Sequence, residues 1–267
     1  MEDLDKRKTR LIKKAMTLIS PDPVGGAPDK NNKATHGGPA GRVIQCVIVG
    51  HPDFLDLTRK PKTHQFIEVG ANMGTATLLA ANLGPTRNCH ALENCKERLI
   101  ALRQTNQKLI ETRDLQGFQV HDCDLNNADC CPPIRASMST PTLFYMNNAE
   151  GLFLNSGLQS RMEDTFFEYC AVDSVVVCFD VMFGDKPFWK EERFIMSVPT
   201  ADLPWRGDQG SHDTSTEMKD QAVFRYTKTK LKQFTGRLRM GRNAFTKRID
   251  YLEYTRIHDL DKILNQE

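Results

Sequence analysis

The stretch FIEVGANMGTATLLAANLG, residues 66–84, constrains this chain more than any other. A short apolar run ends in an acid, turns past two glycines and continues as an apolar helix. That pattern is a buried strand handing over to a helix. It repeats downstream. CHALE (89–93), FQVHDCD (118–124), TLFYMN (142–147) and SVVVCFD (174–180) read as strands. TATLLAANLG (75–84), KERLIALRQTNQKLIET (96–112) and residues 157–170 read as the helices between them. Such alternation predicts an α/β fold, a doubly wound sheet made parallel by crossovers. Toward the C-terminus the period changes to two. AVFRYTKTKLKQF (222–234) and RIDYLEYTRI (248–257) are expected to pair antiparallel at the sheet edge.

Ahead of this core, residues 1–60 form a separate N-terminal region. Residues 4–19 carry Leu4, Leu11, Ile12, Met16 and Ile19 at helical spacing with basic residues opposite, and 20–42 is a Gly-, Pro- and Asn-rich loop. The catalytic domain is expected over 61–267. The 267 residues contain no apolar run long enough for a membrane helix. The N-terminal stretch lacks a secretory apolar core, and its early acids argue against a transit peptide. Eight cysteines without paired spacing predict reduced thiols in an intracellular chain. His121, Cys123, Cys130 and Cys131 lie close in sequence but match no zinc spacing, so no metal is expected.

In a doubly wound sheet, ligands bind at the carboxyl ends of the strands. Glu68, Gly70, Asn72 and Gly74 sit at the first such end. Their spacing is not that of a dinucleotide loop, and an acid there suits a cationic group better than a pyrophosphate. Glu93 closes the second strand, where an acid binds ribose hydroxyls. A plain alternative is a Glu stabilised by the helix dipole. Asp124 closes the third strand and is placed to accept from an adenine amino group, with Asp122 as its rival. Three acids at three strand ends fit an adenosine with a positively charged tail, which is S-adenosylmethionine. Asn147 and Asn148, at the end of the fourth strand, stand where a substrate would meet it, although asparagines there also serve as plain turn residues.

The motifs EVGANMG, ALE, CDL and FYMNNAEGLF, in this order, resemble those of the disruptor-of-telomeric-silencing histone lysine methyltransferases, with most likeness to the compact trypanosomatid members. The likeness runs in patches over about residues 30–257. It implies the seven-stranded, Rossmann-like class I methyltransferase fold with S-adenosylmethionine as cofactor. Thr35 and Gly37 in ATHGG match the loop that folds over the cofactor's amino-acid end. Glu68, Gly70, Gly74, Glu93 and Asp124 match cofactor-binding positions, and Asn147 the catalytic strand end. Asn72 replaces the middle glycine of the family's loop, a tolerable change because Asn adopts left-handed backbone readily. Leu125 stands where an aromatic would cover the base. Ala149 and Gly151 replace two phenylalanines. Phe144, Tyr145, Phe153, Trp205 and Tyr251 are available to line a lysine channel, with Tyr251 on a strand resembling the family's channel strand.

The function this implies is methyl transfer to a lysine of histone H-three in the nucleosome core, in the nucleus. In that mechanism Asn147 orients the neutral amine, a dry channel lowers the lysine pKa, and water removes the proton. Charge asymmetry is consistent with such a partner. Residues 225–248 hold nine Lys/Arg and no acid, which leaves the remainder net acidic. The segment is expected to contact DNA phosphates, with a solvated strand pair as the bland alternative. A nucleic-acid amino-methyltransferase is the alternative enzyme. It usually carries prolines and an aromatic after the strand-end Asn, which MNNAE lacks. A non-catalytic chromatin-binding module is the third reading. Residues 20–42 and 200–220 are expected to be lids.

Overall fold

The computed structural model describes residues 65–83, 88–113, 115–126, 131–146, 148, 157–167, 170–183, 188–199 and 218–229, with Lys14 and residues 17–19 ahead of them. The strands are β1 (Gln65–Val69), β2 (Cys89–Glu93), β3 (Gln119–Asp122), β4 (Thr142–Met146), β5 (Val175–Cys178), β6 (Trp189–Pro199) and β7 (Met218–Lys228). The helices are α1 (Thr75–Leu83), α2 (Lys96–Glu111), α3 (Pro132–Ser137) and α4 (Leu158–Met162), the last running on into a π turn, Glu163–Phe167. The strands form one sheet in the order β3-β2-β1-β4-β5-β7-β6. β1 to β5 are parallel, and β7 runs antiparallel between β5 and β6. β6 is therefore parallel to the first five strands. This order with a single reversed strand is the class I S-adenosylmethionine-dependent methyltransferase fold, Rossmann-like and doubly wound.

β1, β2, β4 and β5 are buried along their whole length because helices cover both faces of the sheet. One face packs Phe66, Ala91, Leu143, Tyr145 and Val177 against Leu78 and Leu79 of α1 and Leu102 and Leu109 of α2. Leu18 and Ile19, from the predicted N-terminal helix, pack against this same core. The other face packs Ile67, Val69, Phe144 and Val176 against Ile134 of α3, Met162 of α4 and an aromatic group. In that group Phe183 stacks on Trp189 at 4.4 Å, with Phe167 edge-on to Phe183 at 5.3 Å and Tyr226 edge-on to it at 5.1 Å.

The edge differs from the expected pairing. β7 begins at Met218, four residues before the predicted strand, and takes in the last residues of the expected 200–220 lid. Its edge partner is Trp189–Pro199, from Trp189↔Lys228 to Pro199↔Met218. Residues 189–199 begin with a mixed run, WKEER, whose charges obscure the strand period. The segment 248–257, with Tyr251, lies outside the described residues. α3 was not predicted either: six residues are too few for a helical period to show.

Candidate active site

Parallel β1, β2, β4 and β5 bring their carboxyl ends to one edge of the sheet. The turn after β1 is unusual. Gly70, Asn72 and Gly74 all have left-handed backbone, with φ of 66°, 49° and 72°. Only glycine enters that region freely, and asparagine at modest cost. Gly74 is constrained further by packing. A Cβ there would stand 2.6 Å from Leu102 Cδ2 and 3.2 Å from Phe118 Cζ. Gly74 thus lets α1 start close against α2.

Two buried carboxylates brace this turn. Glu93 Oε2 accepts from the Asn72 N–H at 2.8 Å, and its Oε1 accepts from the Asn94 and Cys95 N–H groups, both at 3.0 Å. One side chain therefore ties the β1 turn to the start of α2. A carboxylate offers about four lone-pair positions, so three such bonds leave Glu93 capacity for about one more donor. Glu68 points into the amino end of α1. Its Oε2 accepts from Thr77 N–H at 2.7 Å and from Thr77 Oγ1–H at 2.6 Å. Burial raises its pKa from 4.5 to about 7, the Thr77 and Ala76 bonds pull the other way, and the nearby charge of Glu93 raises it further. Glu68 was expected to hold a cationic ligand group directly. The structure gives it the work of a helix cap, which positions the turn from beneath.

Asn72 adds the third element. Its Oδ1 is buried and has no hydrogen-bond partner. An unpartnered buried acceptor costs about 1–3 kcal/mol, and a ligand donor removes that cost. Further back along β2 and β3 lies a histidine pair absent from the sequence reading. His90 Nδ1 and His121 Nε2 are 3.0 Å apart, and the buried His90 Nε2 has no partner. Burial and then His121 lower the His90 pKa to about 4, and burial lowers that of His121. Adjacent strands with same-face histidines are the signal that would have found the pair.

Asp124 lies beyond β3 and is exposed. Its Oδ1 accepts from the Asn126 backbone N–H at 2.9 Å and from Asn126 Nδ2 at 2.8 Å, which makes it the head of a turn. Leu125 is half-buried and packs toward the α3 face. Asp122, the rival acid, pairs in register with Glu93 and is also exposed. Neighbouring Cys123 and Cys131 are buried free thiols. Thr35, Gly37, Asn147 and Tyr251 lie outside the described residues, as do Phe153 and Trp205. Among the aromatics considered for a lysine channel, Phe144 and Tyr145 are corrected to core residues: Phe144 packs edge-on against Phe167 at 5.1 Å, and Tyr145 against Phe179 at 6.1 Å.

At the fourth strand end the described residue is Asn148, and it is fully buried. Its Oδ1 accepts from Phe179 N–H at 2.8 Å and Asp180 N–H at 3.0 Å. Its Nδ2 donates to Gln159 Oε1 at 3.2 Å and to the Asp180 carbonyl at 3.4 Å. Asn148 is thus committed to holding β4 against the segment after β5. Two basic residues of 225–248 are described: Arg225 is half-buried and Lys228 is buried. Arg225 pairs with Glu192, and Lys228 is buried with its Nζ donating to the Phe167 carbonyl at 3.1 Å, 5.1 Å above the Trp189 ring. Both are engaged by contacts within the fold. The segment's other seven basic residues lie outside the described residues.

No family model matches the chain, and no curated protein matches its sequence. Solved structures do align with it. A precorrin-6y C5,15-methyltransferase from Geobacter metallireducens is 11% identical over 79% of this chain and 99% of its own, with a TM-score of 0.41. An rRNA methylase from Streptococcus thermophilus is 12% identical over 67% of this chain and 94% of its own, with a TM-score of 0.38. TrmN from Thermus thermophilus is 15% identical over 65% of this chain and 46% of its own, with a TM-score of 0.41. At these identities the likeness is one of fold.

Proposed function

We propose that this chain is an S-adenosylmethionine-dependent N-methyltransferase. The observation that carries the reading is the β1 turn: three left-handed residues, an unpartnered buried Asn72 Oδ1, and Glu93 beside it with room for one more donor. A ribose hydroxyl and an ammonium are donors of the kind this corner lacks. Glu93, Asn72 and the Gly70 turn would hold the cofactor, with Glu68 supporting from below and Asp124 at the adenine end. The cofactor, when bound, supplies a methyl group on a sulfonium that is already a good leaving group. The chain's remaining task is alignment, which contributes about 7–11 kcal/mol in well-oriented systems.

For the acceptor, the motif resemblance supports a lysine of histone H-three in nucleosomes, with Asn147 orienting the amine in a nuclear enzyme. Contact with DNA then falls to the basic residues after Lys228. A nucleic-acid amino group is the second reading, and the same basic residues favour it equally. It asks for a different strand end, because MNNAE offers no aromatic to stack a base.

The test is transfer of a labelled methyl from S-adenosylmethionine to nucleosomes, free core histones, DNA and RNA side by side, with Asn147→Ala as control. Label on a histone lysine, strongest in nucleosomes and lost in the variant, supports the first acceptor. Label in nucleic acid replaces it with the second. No label together with no cofactor binding by calorimetry overturns the methyltransferase reading and leaves the corner as scaffold.

A further inference from the structure

We propose that Asn148 is a positioning residue of the transfer site, holding the backbone of residues 179–183 as the wall against which the acceptor is presented. The proposal rests on the methyltransferase reading above. It concerns the side of the site that the cofactor corner does not explain.

Residues 179–183 follow β5 directly and belong to no helix or strand. Their backbone is nevertheless held at six points, all by side chains. Asn148 takes the N–H groups of Phe179 and Asp180 and gives to the Asp180 carbonyl. Gln159 Nε2 donates to the Val181 carbonyl at 2.9 Å. Tyr226 accepts from Met182 N–H at 2.9 Å, and Glu163 Oε1 from Phe183 N–H at 3.4 Å. Gln159 joins the set together by donating to Glu163 and accepting from Asn148. A loop with ordinary surface duties needs no such framework, because water satisfies its backbone.

The framework also resists strain. Phe183 is a non-glycine residue at φ 56°, a conformation that persists only where surroundings over-determine it. Its ring is locked by the stack on Trp189. Outward, the wall presents Val181, 56% exposed. β4 pairs with β1 on one side and β5 on the other, so this wall lies two strands from the cofactor corner, with the β4 end between them. Asn148 has no exposed surface and touches no substrate. Its effect passes through the wall and through Asn147, its neighbour in the chain.

The experiment compares wild type, Asn148→Ala, Asn148→Asp and Gln159→Ala by amide hydrogen exchange, S-adenosylmethionine calorimetry and methyl transfer to the acceptor found above. Losing the two bonds that hold the Phe179 and Asp180 N–H groups should speed exchange at 179–183 by roughly 30-fold in Asn148→Ala. Cofactor affinity should stay within about twofold, while kcat falls on the order of 100-fold, as for a small misplacement of reactants. Asn148→Asp keeps both accepting contacts but turns a second buried oxygen toward the Gln159 Oε1 and Asp180 carbonyl acceptors, so it too should exchange faster and turn over more slowly than wild type. Gln159→Ala, peripheral to the strand end, should show the same pattern more weakly and serves if Asn148→Ala does not fold. Unchanged exchange at 179–183, or faster exchange with undiminished kcat, overturns the proposal. Absence of S-adenosylmethionine binding by the wild type is a separate failure, of the methyltransferase reading, and the proposal falls with it.

Discussion

The two ends of this site are braced by different chemistry. At the β1 and β2 ends, carboxylates hold backbone N–H groups: Glu93 takes three, and Glu68 caps α1. At the β4 and β5 ends, amides do the holding through Asn148 and Gln159, with the Tyr226 phenol and, at the rim, one long bond to Glu163. Ionised carboxylates only accept, so the first end fixes donors alone, and Glu93 sets an acid beside the turn where a cationic ligand would sit. Amides both accept and donate, so the second end fixes N–H and C=O together without charge. The first arrangement suits binding of a cation; the second suits holding a neutral wall still.

The largest expected effect comes from removing the carboxylate end's main brace. Glu93→Ala leaves the N–H groups of Asn72, Asn94 and Cys95 without their acceptor. The expected loss is about 3–5 kcal/mol of stability, together with loss of detectable S-adenosylmethionine binding. Urea unfolding and calorimetry measure both. An equally large loss of cofactor affinity in Asn148→Ala would erase the distinction between the two ends.

Next in size is Gly74→Ala. The added Cβ meets Leu102 inside a packed core, and alanine must also adopt φ 72°. Overpacking and left-handed strain together should cost about 2–4 kcal/mol, visible as a lower unfolding midpoint. If the loss is below about 1 kcal/mol, α1 and α2 are free to separate and the corner is looser than its contacts indicate.

How legible was this site in the sequence? Strands β1, β2, β4 and β5 were readable because each is a short apolar run buried on both faces, and turn chemistry marked the corner at Gly70 to Gly74. Glu93 was legible as a strand-end acid, yet its bond to Asn72 was not, since the partner lies across the sheet. The bonds of Glu68 to Thr77 were hidden for the same reason. A carboxylate at a strand end looks outward in sequence, and only the placement of Thr77 turns it inward. Asn148 was seen as half of an Asn pair, but its burial depends on the approach of β5. β6 was missed because charged residues open it, and Lys228 was read as a surface cation although it lies buried against Trp189.

A smaller effect sharpens the comparison through pH. The folded-state pKa of Glu68 is raised from 4.5 to about 7. The folded protein therefore keeps a proton that the unfolded chain releases, and the associated stability is present below pH 4.5 and lost as pH rises through about 7. Glu68→Gln removes this dependence. Relative to wild type, the variant should gain stability as pH rises from 4.5 to 7, by a few kcal/mol at most, and then level off. His90 acts in the opposite sense: with its pKa lowered to about 4, its contribution is present above pH 6.5 and fades as pH falls toward 4. The deficit of Asn148→Ala should be the same at pH 5 and pH 8, because amides do not titrate. Thermal unfolding across this range separates the three, and a pH-dependent Asn148→Ala deficit would mean that Glu163 carries more of the second end than its single long bond indicates.

The smallest expected effect is at Asn72, where it also says the most about the ligand. Asn72→Gly relieves a non-glycine residue at φ 49° and removes a buried, unpartnered Oδ1, while the backbone N–H that reaches Glu93 stays. Against this, glycine adds freedom to the unfolded chain. These terms nearly cancel, so stability should change by less than about 1 kcal/mol. Affinity then decides what the amide is for. If Asn72 serves only as a turn former, S-adenosylmethionine should bind the glycine variant as tightly as wild type. If its carbonyl oxygen is the acceptor that the cofactor satisfies, losing one such bond should weaken binding by roughly tenfold at unchanged stability. The second outcome is expected, because a buried acceptor without a partner is hard to account for at a corner that holds nothing.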